Sequence, residues 1–222
     1  MKKYVKSIFL CCICVGLLML CSGCWSMIFP PPEWYIVTDI ESYGIIEGSR
    51  NNDRAKELFS AIFPAQIEDY FQDVTYSYKA VNIDTYDFEI YLEFVLEDSD
   101  KFQEYIKEIA PAGEWLPFEY DESYLEYTYA DWYYADSGDS GEYFCIDSAE
   151  IAKVLIQPNE QRVITVALGV DDGGGAQTEY FTCFFDRFNI DPLEYDARPD
   201  YNHQDILNGK HRKKAISNGS LP

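Results

Sequence analysis

Residues 74–96 read VTYSYKAVNIDTYDFEIYLEFVL, and this stretch decides the fold. Val74, Tyr76, Tyr78 and Ala80 fall on one side of an extended chain. Tyr86, Phe88, Ile90, Leu92, Phe94 and Leu96 fall on one side of a second. Sustained alternation with period two describes an antiparallel strand with one buried face. Asp87, Glu89 and Glu93 occupy alternate positions of the second strand, so they are expected to face solvent. Asn82-Ile83-Asp84 joins the two at hairpin length.

A helical pattern lies on each side of the hairpin. Ala55, Leu58, Phe59, Ile62 and Phe63 recur at the spacing of one helix face, with N-caps offered by Asn51, Asn52 or Asp53 and a stop at Pro64. Phe102, Tyr105, Ile106, Ile109 and Ala110 repeat that spacing, capped by Asp98 or Ser99 and stopped by Pro111 and Gly113. Each helix has one apolar stripe and should pack on one surface. Strands at Tyr43–Glu47 and Tyr124–Tyr133 complete a β-α-β-β-α-β order. The expected class is α+β: an antiparallel sheet with two amphipathic helices on one face, in ferredoxin-like order.

The rest reads as a C-terminal β-meander. Its strands are Glu142–Asp147, Ile151–Gln157, Arg162–Val170 and Tyr180–Phe188, with a turn at Pro158-Asn159-Glu160 and a flexible loop at 171–175. These strands extend the same sheet or form a second small one, and Ile151–Val154 also fits a helix.

The first residues differ from all of this. Lys2, Lys3 and Lys6 precede an apolar run from Ile8 to Leu20, which ends at Cys21-Ser22-Gly23-Cys24. The segment 1–24 resembles a bacterial lipoprotein signal peptide, with Ser22, Gly23 and Cys24 matching the lipobox and Cys21 standing where that family usually has Leu. The resemblance implies removal of residues 1–23 and attachment of lipid, including palmitate, to Cys24. The mature protein would then sit on the outer face of the cytoplasmic membrane. The competing reading is an uncleaved span, since no charge occurs from Ser7 to Pro32. Ser22-Gly23, Trp25-Ser26 and Pro30-Pro31-Pro32 argue against a continuous one. Residues 24–33 then form a proline-rich tether, 34–200 the folded domain, and 201–222 a basic tail that reads as disordered.

Composition narrows the partners. The chain has 222 residues, 17 Lys+Arg, 39 Asp+Glu and 47% hydrophobic residues, too apolar for a disordered protein and too acidic for a nucleic-acid binder. Processing would remove three of the basic residues and none of the 39 acidic ones, giving a net charge of −25.

Cysteine usage follows the same division. Cys145 and Cys183 alone would remain besides Cys24, in a compartment where disulfides form. They form either a bridge, stabilising by about 4 kcal/mol in the entropy model, or two small buried hydrophobes, Cys183 sharing a strand face with Phe181 and Phe185.

Signals of catalysis are weak, and no cofactor is expected. The two histidines, His203 and His211, lie in the tail region, which disfavours a histidine-based triad or metal centre inside the domain. Gly138-Asp139-Ser140-Gly141 superficially resembles the serine motif of trypsin-like proteases, but Glu142 stands in place of that family's second Gly and no His precedes it. The most unusual stretch runs from Glu114 to Phe144, with nine acids and eleven aromatic residues. Trp115, Tyr124, Tyr127, Tyr129, Trp132, Tyr133 and Tyr134 are its candidates for a binding surface. Asp136, Asp139 and Glu142 are candidates for a hard cation. Tyrosines packing a strand explain the same residues without any ligand. The expectation is a non-catalytic, membrane-tethered module for an envelope protein or glycan. A glycosidase working with carboxylates alone and a structural subunit of an envelope complex are the alternatives.

Overall fold

The computed structural model describes residues 33–47, 52–82, 87–110, 114–136, 145–170, 176–177 and 183–195. Cys24 and the tail 201–222 lie outside them. A compact unit begins at Trp34. Its strands are β1 (Glu33–Val37), β2 (Gln72–Asn82), β3 (Phe88–Val95), β4 (Leu116–Pro117), β5 (Leu125–Asp136), β6 (Cys145–Gln157), β7 (Arg162–Val170) and β8 (Ala176–Gln177). Its helices are α1 (Asn52–Ile62), α2 (Ser99–Ile109) and α3 (Cys183–Phe188).

The fold is α+β. The sheet runs β1-β2-β3-β7-β6-β5-β4, with β8 paired to β6. Each pair from β2 through β3, β7, β6 and β5 to β4 is antiparallel. The ferredoxin-like arrangement is not confirmed: β7 and β6 stand between β3 and β5, so the C-terminal strands extend the sheet at its middle. β6 is one strand of 13 residues where two segments were expected. Both helices fall where their stripes place them. Asp98 caps α2, its carboxylate accepting from the amides of Asp100 and Lys101.

Both faces of the sheet are covered. Ala80, Ile90, Phe94, Val154 and Val163 pack with Leu58, Ile62 and Phe102 of the two long helices. The alternate residues Tyr91, Ile151, Leu155, Ile164 and Val166 pack with Phe184 and Phe185 of α3 and with Phe118 and Tyr195. β7, apolar at nearly every position, shows why: a strand buried on both faces loses its alternation.

Three expectations are corrected. Asp87, Glu89 and Glu93 are buried rather than solvent-facing, because α3 and its flanks cover the second face. Tyr180–Phe188 is not a strand: Cys183–Phe188 is a helix, and residues 180–182 lie outside the described set. Two adjacent phenylalanines, Phe184 and Phe185, reach the same core there, whereas a strand would send them to opposite faces. Tyr43–Glu47 is a turn followed by irregular chain, and the sheet's first strand lies earlier, at β1. Gly44 at φ +80° makes the turn, and the Tyr43 ring packs on Phe59 and Tyr76. Cys183 carries a free thiol. The side chain of Cys145 lies outside the described residues.

Candidate functional site

Among the described residues, the aromatic side chains expected to form a surface around 115–134 are divided between the two faces of the sheet. Trp132 and Tyr133 are 5% and 3% exposed, and as neighbours on β5 they point to opposite faces of the sheet. Tyr133 packs on Phe185 and Tyr195, and Tyr124 lies under Phe188. Trp115, Tyr127 and Tyr129 are half-buried against the helix-side core, Trp115 and Tyr127 with ring centres 6.0 Å apart. The amphipathic tyrosine thus acts here as packing. The side chains of Tyr134 and Asp136, and the whole of Asp139 and Glu142, lie outside the described residues. Among the described residues no group of three or more His, Cys, Asp or Glu is placed to hold a metal ion.

Two other features emerge from the packing. The first is a row of polar contacts that fastens residues 183–195 to the second face of the sheet. Glu89, 1% exposed, accepts from the Phe184 amide at 3.3 Å and lies 3.6 Å from the Lys79 ammonium. The Cys183 side chain lies in the electrostatic surroundings of Glu89 as well. Glu93 accepts from the Tyr91 hydroxyl at 2.6 Å, from Arg162 at 2.7 Å and from Arg187 of α3 at 3.2 Å. Asp131 accepts from the Tyr195 hydroxyl at 2.9 Å and pairs with Lys153 at 2.6 Å, and Lys153 also reaches Glu126 at 3.0 Å. The sheet acids therefore serve as fastening points. They do not make a nucleophile of Cys183: burial and the neighbouring Glu89 carboxylate push its thiol up to about 11, well above the range of reactive thiols.

The second feature is a cleft of about 340 Å³ at the end of the helix layer. The last turn of α1, the segment 63–71 and the last turn of α2 enclose it. Pro64 stops α1, and the chain must then cross to β2, which leaves a concavity beside Ile109. Its apolar lining includes Phe63, Phe71, Tyr105 and Ile109, and Glu68 and Glu108 stand on it as acids. Phe71 is held by Phe94 in a stacked pair with ring centres 4.1 Å apart, and Tyr105 meets both rings edge-on. The wall is thus rigid. Tyr70 is different: it lines the cleft yet is 37% exposed, among the few large apolar side chains so open. The Lys101 ammonium sits 3.5 Å from the centre of its ring.

Sequence reasoning missed both features. Residues 63–71 show no periodicity, and only the Tyr70-Phe71 pair between two elements signals an apolar function there. The buried acids looked solvated because their alternation was regular. Tyr91, placed between Glu89 and Glu93, was the sign that this face is also covered.

No protein-family model matches the chain, and no curated protein or solved structure matches it. Among the described residues no helix is long and apolar enough to cross a membrane.

Proposed function

We propose that this protein is a non-catalytic binding module, lipid-anchored through Cys24 on the outer face of the cytoplasmic membrane, which holds a protein of the cell envelope. The observation that carries the reading is the cleft bounded by Phe63, Tyr70, Phe71, Tyr105 and Ile109 with Glu68 and Glu108 beside them. A concave site whose aromatic walls are held by ring packing and stand beside polar and acidic side chains suits capture of a ligand. An exposed tyrosine at its mouth suits a protein contact. The leader motif Ser22-Gly23-Cys24 supports the location.

Two experiments test this. Replacing Cys24 with Ala should abolish incorporation of labelled palmitate, and undiminished labelling would remove the anchor. A photo-crosslinker at Ala65, exposed on the lip of the cleft, should join a protein in intact cells. Tyr70→Ala should lower that yield severalfold. Crosslinks to glycan alone, or a yield indifferent to Tyr70→Ala, would overturn the protein-partner reading.

A further inference from the structure

We infer that the cleft takes a basic peptide segment, whose lysine or arginine side chain stacks on Tyr70 among carboxylates while flanking apolar side chains lie against Phe63 and Ile109. This rests on the reading of the cleft as a docking site and goes on to name the chemistry of its ligand.

The argument begins with the ring of Tyr70. Its face already holds an ammonium, that of Lys101, at 3.5 Å. That contact shows that the ring face accommodates a cation at close approach. The surroundings favour the same charge. Glu68 and Glu108 line the cleft. Glu68, Glu104 and Glu108 all act on the Tyr70 hydroxyl, which is pushed up by burial first and by these three carboxylates next. Lys101, Glu104 and Glu108 are spaced along α2 at three, four and seven residues, so they share one stripe facing Tyr70. Gln66 donates to Glu68 at 2.7 Å and helps fix that carboxylate.

The lining therefore joins two carboxylates, Glu68 and Glu108, to the apolar side chains of Phe63, Phe71 and Ile109. A phosphate or acidic peptide meets repulsion there, and a neutral glycan gains nothing from the charges. A cation next to apolar side chains gains from both parts. The surplus of 39 acidic over 17 basic residues extends the attraction beyond contact range and raises the encounter rate. Lys101 occupies the position that the ligand's cation would take, so it acts as a competitor.

The test uses the full lipidated chain in detergent micelles. A dye-labelled peptide, acetyl-Leu-Lys-Leu-Lys-Leu-amide, and its counterpart with Gln for Lys are titrated by fluorescence anisotropy. The lysine peptide should bind about tenfold more tightly, the two charges together being worth about 1.4 kcal/mol. Replacing Glu104 and Glu108 together with Gln should weaken it about threefold. Lys101→Gln, which removes the cation seated on the ring itself, should strengthen it by a similar factor, a threefold step being about 0.6 kcal/mol. Tyr70→Ala should remove the lysine preference, which a diffuse acidic attraction would leave intact. Equal binding of the two peptides, or weaker binding after Lys101→Gln, would overturn the inference. So would a rise above tenfold on replacing Lys210, Arg212, Lys213 and Lys214 with Gln, since the chain's own tail would then be the occupant. Distinguishing this failure from failure of the docking site requires an N-acetylglucosamine oligomer as a further probe. Binding of that oligomer but not the lysine peptide, lost in Tyr70→Ala, would leave the cleft a binding site and sink the basic ligand. Binding of neither, with no crosslink at Ala65, would sink the site itself.

Discussion

Glu93 and Asp131 lie on the same face of the sheet, yet their protonation is driven in opposite directions. Burial pushes Glu93 up, but hydrogen bonds from Tyr91, Arg187 and Arg162 outweigh it and hold the carboxyl below its ordinary range. Burial dominates at Asp131, and its carboxyl is raised despite Lys153 and the Tyr195 hydroxyl. The consequences for stability have opposite sign. Glu93 stabilises the fold above the ordinary carboxylate pKa, and that contribution disappears as pH falls through its lowered value. Asp131 ionises at a cost, so its share of stability declines as pH rises from the ordinary value through the raised one. Glu93→Gln should therefore cost about 2–3 kcal/mol at neutral pH, a partly buried paired charge being lost. The difference should vanish at acid pH. Asp131→Asn should instead flatten the decline in stability on the rising limb. Urea titrations across pH read both, and a Glu93→Gln deficit that persists unchanged in acid would refute the first assignment. A second prediction concerns Cys183. With its thiol held up to about 11, it should resist alkylation at neutral pH in the folded protein and react on unfolding. A Cys145→Ser background isolates the signal, and rapid native labelling would contradict the placement.

Elements repeat this lesson at larger size. Helices α1 and α2 and the hairpin of β2 and β3 were legible because each shows one dominant period over many residues, and β7 because an unbroken apolar run follows a turn signal. The second cover was not. Residues 183–188 are too short for periodicity to separate helix from strand, and Phe181, Phe184, Phe185 and Phe188 are apolar under either reading. Missing that helix made three buried acids look exposed, and the site at residues 63–71 was missed separately because that segment has no period of its own. The tyrosine-rich stretch misled for a related reason: in a sheet covered on both faces, aromatic residues of either parity find a core. Gly169 tests the packing between β3 and β7. It pairs with Phe88, and a Cβ added to it would lie 2.5 Å from the Phe88 ring. The glycine is thus a seat for that ring. Gly169→Ala should cost about 1–3 kcal/mol by overpacking. Adding Phe88→Leu should recover part of the loss, because it empties the contested volume. Thermal unfolding of the two single variants and the double variant gives the coupling. Strict additivity would deny that the two residues compete for one space.

At the scale of the whole molecule, charge has two roles that salt can separate. The acids fastened to Lys79, Arg162, Arg187 and Lys153 are buried or partly so, and screening reaches them weakly. The remaining acids outnumber the remaining bases, since 39 acidic residues face 17 basic ones. Their mutual repulsion acts through water, where the screening length falls from about 30 Å at 0.01 M salt to about 8 Å at 0.15 M. Repulsion should therefore fade over this range while the fastenings persist. The unfolding midpoint should rise with potassium chloride between those concentrations, in the wild type and by a similar amount in Glu93→Gln. The same addition should weaken any capture of a basic segment at the cleft, whose carboxylates stand at the surface. A midpoint that fell with salt would mean that exposed ion pairs outweigh repulsion. A rise abolished by Glu93→Gln would mean that the buried network is the part being screened. The opposite responses of stability and binding to one variable follow from where each charge sits.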